Sequence, residues 1–180
     1  MYAVSVMTAA FLITASAHSA EKKKFALYAA KFKNGGYIPA EYAMTRIRGG
    51  KNISPAMFWK NAPENTKYFA LICIDLNPVA HRWVHWMVVN IPVKADKLQE
   101  GASMKKMPAG SEELLNSFGF QGWGGPQPPP GTGVHKYLFV LLALKDKVIP
   151  GNITDEKSFL KSVQGKVTGK AAISGLFIFR

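Results

Sequence analysis

Asp75, His85, His135 and Tyr137 are the side chains of this sequence best placed to do chemistry, because they stand at the end of, within or at the head of strongly apolar runs. Asp75 arrives at the carboxyl end of the run 69–75, and His85 interrupts Trp83-Val-His-Trp-Met-Val-Val-Asn-Ile-Pro92. His135 and Tyr137 lie two apart at the head of the run 137–144, so on a strand they share a face. A buried carboxylate or imidazole is costly without a partner. One reading is a single Asp–His hydrogen bond that only ties two strands together. The other is an anion pocket: imidazole N–H and phenol O–H groups donate to an oxyanion, while the ionised Asp75 accepts from one imidazole and sets its tautomer. Such a set captures a ligand reversibly and needs no bond-making step.

The stretch Gly125-Pro126-Gln127-Pro128-Pro129-Pro130-Gly131-Thr132-Gly133 leads directly into His135. Proline removes amide donors and fixes φ, and glycine admits conformations closed to other residues. A loop of this kind can present its remaining N–H groups as an anion-binding nest. A rival from another class is a metal hydrolase using Asp75, His81, His85 and His135. The four-residue spacing of His81 and His85 would suit a helix, but Pro78 precedes the pair and residues 83–91 read as strand, which places His81 on a loop. Nucleophilic catalysis finds less support: Ser54-Pro55 lacks the G-x-S-x-G elbow, and Cys73 sits inside an apolar strand. No phosphate-binding P-loop or dinucleotide fingerprint occurs. No cofactor is expected, and no nucleic-acid partner.

The elements that must position these residues are mainly strands. Residues 69–75, 83–92 and 137–144 are rich in β-branched and aromatic side chains. Residues 25–32 and 41–48 also read as strands, and the tail 170–180 as a closing strand. Ser111-Glu112-Glu113 before an apolar pair, with Gly119 at the end, predicts one short helix; Thr154-Asp155-Glu156 followed by Phe159, Leu160, Val163 and Gly165 predicts a second.

At 180 residues with 48% hydrophobic content, the chain has the material for one sizeable core. Residues 1–20 carry no Lys, Arg, Asp or Glu and include Ala15-Ser16-Ala17, an A-x-A cleavage pattern, with Ala20 a second candidate end. They read as a secretory signal preceding a domain over residues 21–180, and the protein as periplasmic or secreted. All 23 Lys and Arg therefore lie beyond the leader, against 11 acids, and the net charge of +12 favours phosphates or an anionic membrane surface as partners.

Several motifs in order carry a family resemblance: Gly50-Lys-Asn-Ile-Ser54-Pro55-Ala-Met-Phe-Trp59, the Asp75 loop, Trp83-Val-His85-Trp86 with Asn90-Ile-Pro92, Asn116-Ser-Phe-Gly119, and Gly124-Gly-Pro-Gln-Pro-Pro-Pro-Gly-Thr-Gly-Val-His135-Lys-Tyr137. From about residue 25 onward the sequence resembles the phosphatidylethanolamine-binding proteins, in particular their bacterial, Raf kinase inhibitor-like branch. The resemblance implies a mainly β single domain with short helices, built as a β-sandwich. It also implies a small pocket for phosphate, sulfate or a phosphorylated head group. Carried over by motif, the pocket would comprise Asp75, His85, His135 and Tyr137, walled by Trp83 or Trp86 and by Gly125, Pro126, Gln127 and the prolines up to Pro130. Two positions depart from the family pattern. Asp-Pro-Asp-Ala-Pro reads Asp75-Leu76-Asn77-Pro78-Val79 here, and Gln127 stands where bacterial relatives often carry Cys. Protein-partner modulation is known among relatives, but the kinase label does not carry over to an exported bacterial chain.

Overall fold

The computed structural model describes residues 23–179, so the leader expected over residues 1–20 lies outside the described part. In chain order the strands are β1 (Ala26–Ala29), β2 (Gly36–Tyr37), β3 (Met57–Lys60), β4 (Tyr68–Asp75), β5 (Val84–Pro92), β6 (Lys97–Leu98), β7 (Glu112–Glu113), β8 (Val134–Leu144) and β9 (Val167–Ile178), with one α-helix, α1 (Glu156–Val163), between β8 and β9. They form a three-stranded sheet, β1-β3-β6, and a six-stranded sheet, β2-β9-β8-β4-β5-β7. All pairings are antiparallel except β2 with β9.

The period of two in the long strands explains how the layers stack. Phe69, Leu71 and Cys73 on β4 and Tyr137, Phe139 and Leu141 on β8 face the small sheet, where they bury Leu27, Met57, Trp59 and Leu98. Their alternates, Ala70, Ile72 and Ile74 on β4 with Val140, Leu142 and Leu144 on β8, face Phe159 and Val163 of α1. The central strands are thus covered on both sides and read as continuous apolar runs, not as alternating ones. Burial of a side chain such as Phe139 or Leu71 contributes roughly 1.5–3 kcal/mol. The sandwich expected from the sequence is the observed architecture.

Helix α1 is capped as its sequence indicates: Asp155 accepts from the Ser158 amide at 2.7 Å, and the Ser158 hydroxyl closes the reciprocal half of a capping box. Two expected elements differ. Residues 41–48, read as a strand, hold a 3-10 turn (Ala40–Tyr42) followed by further turns. Their amides bond locally or to the Pro126 carbonyl at 3.1 Å, because no strand lies beside them to complete a ladder. Residues 111–119, read as a helix, contribute β7 and a loop. The Glu113 carboxylate there accepts from Trp86 Nε1 at 2.7 Å, Ser103 Oγ at 2.6 Å and the Met104 amide at 2.6 Å, which outweighs the local helix signal.

Candidate functional site

Register places the acid beside the phenol. Asp75 ends β4 directly opposite Tyr137 on β8, with His135 two residues earlier on the same face. His135 Nδ1 lies 2.6 Å from Asp75 Oδ2, and both side chains are almost fully buried. The other carboxylate oxygen accepts the Asn77 amide at 2.9 Å, so both oxygens of Asp75 are engaged. His135 Nε2 lies 2.8 Å from Thr132 Oγ1, whose hydroxyl also reaches the Pro129 carbonyl at 2.7 Å. The imidazole that Asp75 is expected to orient is thus that of His135. Thr132 completes a hydroxyl–imidazole–carboxylate chain that the sequence reading missed, although Thr132 lies three residues before His135. It does not line the cleft described below, and its contact with Pro129 makes it an orienting group for the imidazole.

His85 reaches the same place through a bulge. Along β5, Val84 pairs with Ile74 and Trp86 with Cys73, so His85 is an extra residue between two consecutive pairs. The bulge breaks the alternation and turns His85 toward the Tyr137 ring, 5.0 Å away and nearly perpendicular. His85 Nδ1 donates to the Gly124 carbonyl at 2.6 Å. A carbonyl can only accept, which leaves the Nε2 lone pair uncommitted in the neutral ring. Burial, opposed by that carbonyl, pushes the His85 pKa down from 6.5 to about 4. The Tyr137 hydroxyl is buried with no hydrogen-bond partner, the one such side-chain atom among the described residues. Burial first, then the charge of Asp75, drives its pKa far up, so it keeps its proton.

Asp75, His85, His135 and Tyr137 line one cleft of about 490 Å³ with Trp83, Phe118, Gln127, Pro128 and Pro129, while His81, Arg82 and Asp155 stand at its rim. A larger cleft of about 570 Å³ beside β2 has neither an imidazole nor a carboxylate on its walls. Of the two tryptophans expected as walls, only Trp83 serves; Trp86 is fully buried against Trp123, because the bulge gives its neighbour His85 the cleft side. Gly125 and Pro126 are likewise displaced from the wall. The Gly125 amide, expected to form part of an anion nest, donates to Asn52 Oδ1 at 2.8 Å, and the Pro126 carbonyl accepts from Met44. Asn52, at φ 50°, also reaches the Trp123 carbonyl, so it pins the loop behind the cleft. Sequence reasoning missed it too, although it lies within the Gly50–Trp59 motif. His81 and Arg82 occupy consecutive left-handed positions, with Arg82 bound through both Nε and Nη2 to Glu156 at the start of α1. Among the described residues no three of His, Cys, Asp and Glu gather closely enough to hold a metal ion.

Residues 28–178 match the sequence profile of the phosphatidylethanolamine-binding protein family. The chain belongs to this family. It is 35% identical over 154 residues to the UPF0098 protein of Aquifex aeolicus, spanning 84% of this chain and 86% of that one. YbcL of Escherichia coli is 35% identical over 155 residues, 83% of each chain. The YbcL crystal structure, described as a new member of the mammalian PEBP family, superposes with a TM-score of 0.79 at 29% identity, covering 88% of this chain and 100% of that one. A Mycobacterium tuberculosis protein with a lipoprotein designation, LppC, is 31% identical over 147 residues, 81% of this chain and 68% of that one. Within this family frame the departures noted in the sequence have structural roles. Asn77 caps the 3-10 turn (Pro78–Ala80) through the Val79 amide, Val79 lines the cleft, and Gln127 does so half-buried.

Proposed function

We propose that this protein is an exported binding protein that captures a phosphate-class anion, free or as a phosphorylated head group, in the cleft of Asp75, His85, His135 and Tyr137. The observation that carries the reading is the Tyr137 hydroxyl, a buried donor without a partner that faces this cleft. Buried donors are rarely left unsatisfied, and a ligand oxygen supplies what the protein does not. Asp75 and His135 hold each other in register beside it. Family membership and the lipoprotein designation of one relative support a role in the cell envelope.

Binding without turnover suits the groups present, since Thr132, the hydroxyl in contact with His135, is turned to the Pro129 carbonyl and not to the cleft. Isothermal titration with inorganic phosphate tests the assignment. Tyr137→Phe, which keeps the ring and removes one hydrogen bond to a charged ligand, is expected to weaken binding roughly ten- to hundredfold. Unchanged affinity in both Tyr137→Phe and His135→Ala would remove these residues from the site. Hydrolysis of a phosphoester or carboxylic ester that disappears in Thr132→Val would contradict the binding reading.

A further inference from the structure

Among the side chains of Asp75, His85, His135 and Tyr137, every hydrogen-bonding group already has a partner except two; the Ser117 hydroxyl, which accepts from the Val84 amide, and the Gln127 amide also line the cleft. Asp75 Oδ1 takes the Asn77 amide and Oδ2 faces His135 Nδ1. His135 Nε2 is occupied by Thr132. What remains among these four is a donor, the Tyr137 hydroxyl, and an acceptor, His85 Nε2, whose ring has its Nδ1 proton fixed on the Gly124 carbonyl. No lysine lines the cleft, and Arg82 at the rim spends its guanidinium on Glu156. A fully deprotonated dianion would therefore meet a lone pair at His85, with no free cation beside it among the described residues.

We propose that the cleft selects anions that bring a proton of their own, so that its preferred ligands are singly protonated phosphomonoesters or phosphate, ahead of phosphodiesters and sulfate. The P–OH donates to His85 Nε2 while another phosphoryl oxygen accepts from Tyr137. A phosphodiester has no such proton, and sulfate keeps none near neutral pH. This selectivity rests on the binding reading above and narrows it.

Other charged groups could imitate a ligand-proton effect, and those facing His85 are Asp75, His135 and Tyr137 on the floor with His81, Arg82 and Asp155 at the rim. A comparison of ligands at matched pH removes them, because they are common to all. Isothermal titration with methyl phosphate, dimethyl phosphate and sulfate at pH 5.5 and 7.5 is the test. Methyl phosphate, whose second pKa is about 6, is expected to bind about tenfold or more tighter than the other two at pH 5.5 and to weaken by up to about 25-fold at pH 7.5. Dimethyl phosphate and sulfate are expected to change little. Equal affinities, or parallel tightening of all three as pH falls, would place the proton on the imidazole and overturn the proposal while leaving the binding site intact. If none of the three binds, the binding reading fails with it. In His85→Gln, whose amide can donate, sulfate is expected to approach methyl phosphate; a preference as large as in the unsubstituted protein would also overturn the proposal.

Discussion

Asp75 and His135 form a buried pair in which each group justifies the other, and removal of one should be far worse than its share of contacts suggests. Asp75→Ala leaves a buried imidazole without its acceptor, and a loss of about 3 kcal/mol or more is expected in urea denaturation. His85 makes a separate and signed prediction. Its folded pKa of about 4 lies below the ordinary 6.5, so between those values the unfolded chain takes up a proton that the folded chain refuses. Stability is therefore full above about pH 6.5 and falls as pH drops toward 4, by on the order of 3 kcal/mol from this group. In His85→Gln the same pH scan is expected to be flatter; an unchanged slope would assign the acid sensitivity to other groups. The four floor residues drew attention in the sequence because Asp75 ends an apolar run, His85 interrupts one, and His135 and Tyr137 stand two apart at the head of a third. Their commitments were not, since whether a nitrogen meets a carbonyl, a hydroxyl or the ligand depends on loops distant in sequence.

Among the elements, the β5 bulge matters most to the site, and it explains where sequence reading stopped. Strict alternation puts His85 and Trp86 on opposite faces; the extra residue brings both to one side and exchanges a wall residue for a core one. No residue type announces that bulge. The helix α1 was legible from its Thr154-Asp155-Glu156 start and its apolar spacing, whereas the helix signal at residues 111–119 lost to the three donors that converge on Glu113. Asp155→Ala is expected to cost about 1 kcal/mol through the lost cap, read as a lower urea midpoint. The loop behind the cleft tolerates less. A Cβ at Gly125 would stand 2.0 Å from the Tyr42 carbonyl oxygen and 2.8 Å from the Ala43 carbonyl carbon, so Gly125→Ala must move backbone. A loss of about 2–3 kcal/mol is expected, and wild-type stability in that variant would mean that the loop packs differently.

The whole molecule places a small polar cleft at one end of the β4 and β8 strands, between a large apolar core and the helix-covered face. That layering was legible from the continuous apolar runs, because central strands covered on both sides carry a strong signal, while two-residue strands such as β2, β6 and β7 carry none. The A-x-A pattern at Ala15-Ser16-Ala17 makes export an expectation for the chain as a whole. Protein isolated from its native host is expected to begin at His18 or Glu21, and an intact Met1 recovered from the cytosol would contradict it. The central claim, an anion held between Tyr137 and His85, is tested most directly by ring-nitrogen NMR of ¹⁵N-histidine-labelled protein titrated with inorganic phosphate. A saturable shift of His85 Nε2 with Nδ1 remaining protonated is expected, and loss of that saturation in Tyr137→Phe. Shifts confined to His81 at the exposed rim, or none at any histidine, would contradict it.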